Sequence, residues 1–284
     1  MPKIAIVTDS TAYIPADLVQ KHNITVTPQI LIWGEETFRD GVDIQPDEFY
    51  ARLKTAKVMP TTSQVSPATM QATFEDLIEK GYNVLGIFVA ATLSGTIQSA
   101  VQAIDMMGAA GQKVNIVDSN TTAMAMGFQV LTVARAIENG ANMQDAVALA
   151  ERARGHTGVY FAVDTLEFLH RGGRIGGAQR FLGTALNMKP VLAVVDGHVE
   201  AVERIRTKGK ALERVLELVM EQTKGKTPVR LATLHAAAEA EARTLLDKAS
   251  QELNAAESIM STVSPVVGTH AGPGTVGLAY IAGI

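Results

Sequence analysis

The chain has 284 residues, of which 47% are hydrophobic and 19% charged, with a formal net charge of −4 and no cysteine. That length exceeds the usual single-core size, so two domains are expected. The acidic balance supplies no basic surface for a nucleic-acid partner, and the missing cysteines exclude disulfides, thiolate metal sites and a cysteine nucleophile while fitting a reducing compartment.

The run Met1 to Val7 lacks the regions of a signal peptide, and no stretch approaches the roughly 18 uncharged apolar residues of a membrane span. A soluble, cytoplasmic protein is expected. Lys3–Val7 reads as a strand ending in Asp9-Ser10-Thr11. Ile24–Trp33 is β-branched and aromatic but broken by Pro28, which predicts a bent or edge segment. Helices are predicted over Pro46–Leu53 and Pro67–Lys80, each with proline in its first turn, the second closed by Gly81. Strand Val84–Ala90, helix Thr96–Met107, strand Val114–Val117 and helices Ala123–Asn139 and Asp145–Arg154 follow. Strands alternating with helices of that length predict a largely parallel sheet with helices on both faces.

From about Gly155 the pattern changes. Val159–Val163 reads as a strand, and glycines crowd Arg171–Gly177. Val191–Val195 and His198–Val202 flank Asp196-Gly197, a strong hairpin signal. Helix Lys210–Thr223, strand Val229–Leu234, helix Glu239–Leu253 and a strand-like Ser258–Val267 complete the reading. The fold class is therefore α/β, with residues 1–155 as an N-terminal α/β domain and 156–284 as a second α/β domain with antiparallel strands.

Three first-half strands end in hydroxyl-rich loops, at Asp9–Thr11, Thr92–Thr96 and Asp118–Thr122. Ligands of open parallel sheets bind at the carboxyl ends of strands, where helix N-termini favour an anion. Each loop is equally readable as an ordinary helix cap. The segment Pro60–Pro67 presents further hydroxyls on what reads as a stiff loop. Gly272, Gly274 and Gly277 match G-x-G-x-x-G, but only seven residues follow, too few for the helix, strand and acidic residue of a dinucleotide site. Ser94 lies in Thr-Leu-Ser-Gly-Thr rather than G-x-S-x-G, and the histidines show no metal-ligand spacing. Arg204, Arg206, Lys208 and Lys210 read as a solvated basic surface.

Several segments together resemble the DegV family, the fatty-acid-binding subunits of bacterial fatty acid kinase. They are Ile4–Ser10, Pro60–Gln64, Leu93–Thr96, Val117–Ser119, Leu169–Ile175, Lys189–Leu192 and His270–Gly274. The resemblance implies a non-enzymatic lipid-binding protein with no cofactor and no metal. It would bury the tail of a long-chain fatty acid in a pocket to which the second domain contributes, together with a loop carrying His270. Thr62, Ser94 and His270 would hold the carboxylate, with the Gly95 N–H as a further donor. Arg171 and Arg174 would face the phosphoryl group brought by a partner kinase, and transient contact with a membrane surface would deliver the ligand. No Arg or Lys lies within Thr61–Ser66 or Thr92–Ser99, so the carboxylate is expected to meet uncharged donors. The rival reading is a small-molecule phosphotransferase or hydrolase using Asp9 or Ser94 as nucleophile.

Overall fold

A computed structural model describes residues 3–183 and 188–284. Met1 and Pro2 of the N-terminal run lie outside the described residues. The first half runs β1 (Lys3–Asp9), α1 (Ala16–Lys21), β2 (Thr25–Thr27), β3 (Ile30–Trp33), β4 (Glu36–Arg39), α2 (Pro46–Leu53), β5 (Thr61–Ser63), α3 (Pro67–Glu79), β6 (Tyr82–Phe88), α4 (Thr96–Met106), β7 (Val114–Asp118), α5 (Ala123–Glu138) and α6 (Met143–Ala153). The second half runs β8 (Thr157–Ala162), α7 (Glu167–Arg171), β9 (Lys189–Val195), β10 (His198–Ile205), α8 (Lys208–Thr223), β11 (Val229–His235), α9 (Glu239–Glu252), β12 (Glu257–Thr262), α10 (Pro265–Ala271) and β13 (Val276–Ala282).

Strands β2-β1-β6-β7 form an all-parallel sheet, with Val7 opposite Gly86 and Phe88 opposite Asp118. The hydroxyl-rich loops after β1, β6 and β7 therefore share one edge. Helices α3 and α4 cover one face, and α5 and α6 the other. The expected parallel sheet with helices on both faces is present. The bent segment resolves as two strands in different sheets: β2 joins the parallel sheet, the chain turns at Pro28, and β3 joins a small antiparallel sheet of order β4-β3-β5.

A six-stranded sheet of order β10-β9-β8-β13-β11-β12 occupies the second half, antiparallel except for the β11–β12 pair. Asp196-Gly197 forms the turn of the β9–β10 hairpin, both residues at positive φ as such a turn requires. Helix α5 lies between the two large sheets, touching β1 and β6 on one side and β8, β11 and β13 on the other. Its sequence is apolar nearly all round, as a helix covered on every side must be. Among the described residues no helix is long and apolar enough to cross a membrane.

Three expectations need correction. The strand read through Ser258–Val267 ends at Thr262; from Pro265 the chain is helical, with Ser264 as N-cap and proline at the first helical position. His270 therefore sits in the last turn of α10, not on a loop. The Pro60–Pro67 hydroxyls are not all on a loop either, because Thr61–Ser63 pair with β3 as strand β5. The C-terminal tail is a fully buried strand, β13, between β8 and β11.

The glycine match is explained by backbone geometry rather than by a nucleotide. Gly272 and Gly274 adopt positive φ in the turn from α10 to β13, and a Cβ on Gly277 would meet Tyr160 O at 2.9 Å on the neighbouring strand. The basic run is only partly solvated. Lys208 Nζ pairs with Asp164 at 3.3 Å and also donates to Gly274 O, tying the start of α8 to that turn.

Candidate functional site

A cavity, partly open at its mouth, lies where the parallel sheet edge meets the six-stranded sheet. One end is polar, lined by Thr62, Ser63, Gln64, Ser94, Arg174 and His270. Apolar side chains dominate the rest, including Val89 from the first half and Val159, Phe161, Val194, Leu234 and Val263 from the second, with Thr11, Tyr13, Gln29, Thr122 and Thr275 among them. Both halves thus build the pocket.

Each polar side chain is placed by a different element. Thr62 is carried on β5 opposite Leu31 of β3. Ser94 lies in the turn after β6, its N–H bonded to Ala90 O at 3.1 Å, and Gly95 is the N-cap residue of α4. The Ser94 hydroxyl accepts from Thr96 N at 3.3 Å and lies 2.9 Å from Thr96 Oγ1. Gly95 packs against the Gln64 amide, which a Cβ would meet at 3.1 Å. Helix α10 brings in His270, and the buried Asp40 carboxylate accepts from Val266 N at 3.1 Å at the first turn of that helix.

His270 Nε2 lies 2.8 Å from Thr62 Oγ1, so these two predicted ligands are in direct contact. Burial, followed by the nearby charge of Arg174, lowers the His270 pKa to about 4. The ring is neutral near pH 7. Its Nδ1 is buried without a partner and faces Gly172, where a Cβ would fall 2.0 Å from it. Gly172→Ala is therefore expected to push the ring away from Thr62. Overpacking of this kind costs about 1–3 kcal/mol, and loss of the head-group contact adds a roughly tenfold weaker ligand affinity. Unfolding curves and ligand titration of the variant check both parts.

The two arginines part company. Arg174 lines the cavity, held by Nε to Leu93 O at 3.2 Å and Nη1 to Gly172 O at 2.7 Å, and has no carboxylate partner among the described residues. Arg171 is exposed and paired with Glu167 at 2.5 Å on the same helix, outside the cavity lining. The segments around Thr62 and Ser94 lack cations, and the fold brings Arg174 into the cavity lining from the second half, as expected for that residue.

Asp9 is fully buried and accepts from Thr11 N at 3.0 Å, Thr11 Oγ1 at 2.7 Å and Val89 N at 2.9 Å. Burial raises its pKa. Asp118 accepts from Asn120 N at 2.7 Å and Ala91 N at 3.2 Å. These carboxylates organise loop backbone. Thr11, from the first of the hydroxyl-rich loops, also lines the cavity, as does Gln29, which was not anticipated from sequence. The signal for Gln29 was an amide inside an otherwise β-branched and aromatic run, a polar group that burial obliges to find partners. Among the described residues no cluster of His, Asp or Glu has the geometry to hold a metal ion.

The model of the DegV family matches residues 3–283. A DegV domain-containing protein of Streptomyces coelicolor is 37% identical over 277 residues, covering 97% of each chain. A DegV-family protein from Thermus thermophilus, described by its fatty-acid binding, superposes with a TM-score of 0.93 at 34% identity, covering 99% of each chain. DegV from Bacillus subtilis, a fatty acid binding protein, gives a TM-score of 0.90 at 34% identity over 99% of this chain and 100% of that one. With nearly its whole length matched in sequence and in fold, this chain belongs to the DegV family.

Proposed function

We propose that this protein binds a long-chain fatty acid, its tail along the apolar cavity and its carboxylate against Thr62, Ser94 and the Gly95 N–H, and presents it to a separate kinase for phosphorylation. The observation that carries the reading is one cavity whose lining joins the Thr62 and Ser94 hydroxyls to a majority of apolar side chains. Burying a methylene contributes about 0.8 kcal/mol, so about 14 of them contribute on the order of 10 kcal/mol before association costs. The tail supplies the affinity and the polar end supplies orientation. His270 supports Thr62, and Arg174 adds a positive charge at the same end. The fatty-acid binding of the Thermus and Bacillus relatives supports the ligand class.

This is a carrier rather than an enzyme. Every described bond of the Asp9 carboxylate goes to the protein's own loops, and Ser94 pairs with Thr96 rather than with a base such as His270, which is bonded to Thr62. Transfer of the phosphoryl group falls to the partner kinase, and contact with a membrane surface is the route by which the ligand arrives. Mass spectrometry of the denatured, extracted protein is expected to show a fatty acid at close to one per chain. A protein that carries none, and takes up none when it is offered, overturns the reading.

A further inference from the structure

Gln29 is 2% exposed, at the corner between β2 and β3. Its Nε2 donates to Thr96 Oγ1 at 2.8 Å, and the same amide lies against the Asp9 carboxylate and helps to stabilise its charge. A carboxylate only accepts, so the NH2 end of the amide must face it. That fixes the amide orientation: its NH2 end lies toward Asp9 and donates to Thr96 Oγ1.

The proton of Thr96 then has one place to go. Thr96 is fully buried, and of its two side-chain neighbours the Gln29 NH2 only donates. Its O–H therefore points to Ser94 Oγ, because a buried hydroxyl proton left without an acceptor costs about 1–3 kcal/mol. Ser94 Oγ accepts this proton and the Thr96 N–H, which fills its lone pairs. The proton of Ser94 itself is left for the cavity.

The same logic applies at Thr62. Neutral His270 carries a single N–H. At Nδ1 that N–H would be buried without an acceptor, whereas at Nε2 it meets Thr62 Oγ1. Thr62 accepts, and its proton also turns to the cavity.

We infer that Gln29, acting through Thr96, and His270 set the direction of the two hydroxyls that face the ligand head. Both then offer protons, and the site selects a head that only accepts, an ionised carboxylate, over one that must donate, such as a primary alcohol or an amide. Gln29 is a positioning residue, and its role rests on the fatty-acid reading above.

The test compares the Kd of a long-chain fatty acid with that of the alcohol of equal chain length, in the wild-type chain and in Gln29→Glu. Wild type is expected to favour the acid. Gln29→Glu puts an acceptor where the amide donates, so the Thr96 O–H turns to it and Thr96 Oγ1 takes the Ser94 proton; acid affinity falls about tenfold while the alcohol, which can donate to Ser94 Oγ, is unaffected. Adding Thr96→Val removes the competing acceptor and restores the preference. Equal loss for both ligands, or no change in their ratio, overturns the inference and leaves fatty-acid binding standing. Failure of wild type to bind either ligand sinks the proposed function and this inference together. A readout independent of the variants is the nitrogen NMR spectrum of the His270 ring in the unsubstituted protein: the Nε2–H tautomer is expected, and Nδ1–H contradicts the scheme.

Discussion

Replacing Thr62 by Val and Ser94 by Ala together is expected to weaken fatty-acid binding about 100-fold while leaving the fold intact. Each hydroxyl donates to a charged acceptor in the proposed complex, and such bonds contribute about 1.5–3 kcal/mol apiece. Two at the lower value give about 3 kcal/mol, or two orders of magnitude in Kd. Both side chains are only partly buried, so their loss removes little packing. The tail still contributes on the order of 10 kcal/mol, so residual binding of a chain with a mobile head is the expected remnant. Ligand titration, with melting curves as control, reads the outcome. Wild-type affinity in the double variant would show that the carboxylate sits elsewhere.

Asp9→Ala is expected to cost about 3 kcal/mol of folding stability or more. The carboxylate is fully enclosed and accepts from two backbone N–H groups, Thr11 and Val89, and from the Thr11 hydroxyl. Alanine leaves those donors buried without an acceptor, at about 1–3 kcal/mol each. Because Val89 follows β6, the damage reaches the edge that carries Ser94. Urea unfolding measures the loss. The rival enzyme reading makes the opposite forecast: a nucleophilic Asp9 would be dispensable for stability, and its removal would abolish ester turnover in an otherwise sound protein.

Much of the scaffold was legible from local pattern because its causes are local. Prolines at Pro46 and Pro67 mark the first turns of α2 and α3, and Asp196-Gly197 supplies the positive-φ pair that a tight hairpin needs. The alternation of aliphatic strands and long helices in the first half required a parallel sheet, and so placed three hydroxyl loops on one edge.

Where the sequence misled, the deciding partner was distant. Val-Ser-Pro-Val-Val reads as β-branched strand, yet α10 starts inside it, with Asp40 bonded to its first turn from more than 200 positions away. Strand β13 was not read as an element, because only its flanks, β8 and β11, make it the middle of a sheet. Thr61–Ser63 is a strand only opposite β3.

By itself the sequence indicated most of the element types and the two-part α/β architecture and, through the family resemblance, pointed to Thr62, Ser94 and His270 as the residues to test. Tertiary structure alone decided that Thr62 and His270 touch, that Arg174 enters the cavity while Arg171 does not, and which way the amide of Gln29 points. The physical reason is that propensity and periodicity act over a few residues. Enclosure of a cavity and the direction of a buried hydrogen-bond chain arise only when segments far apart in sequence exclude water from one another.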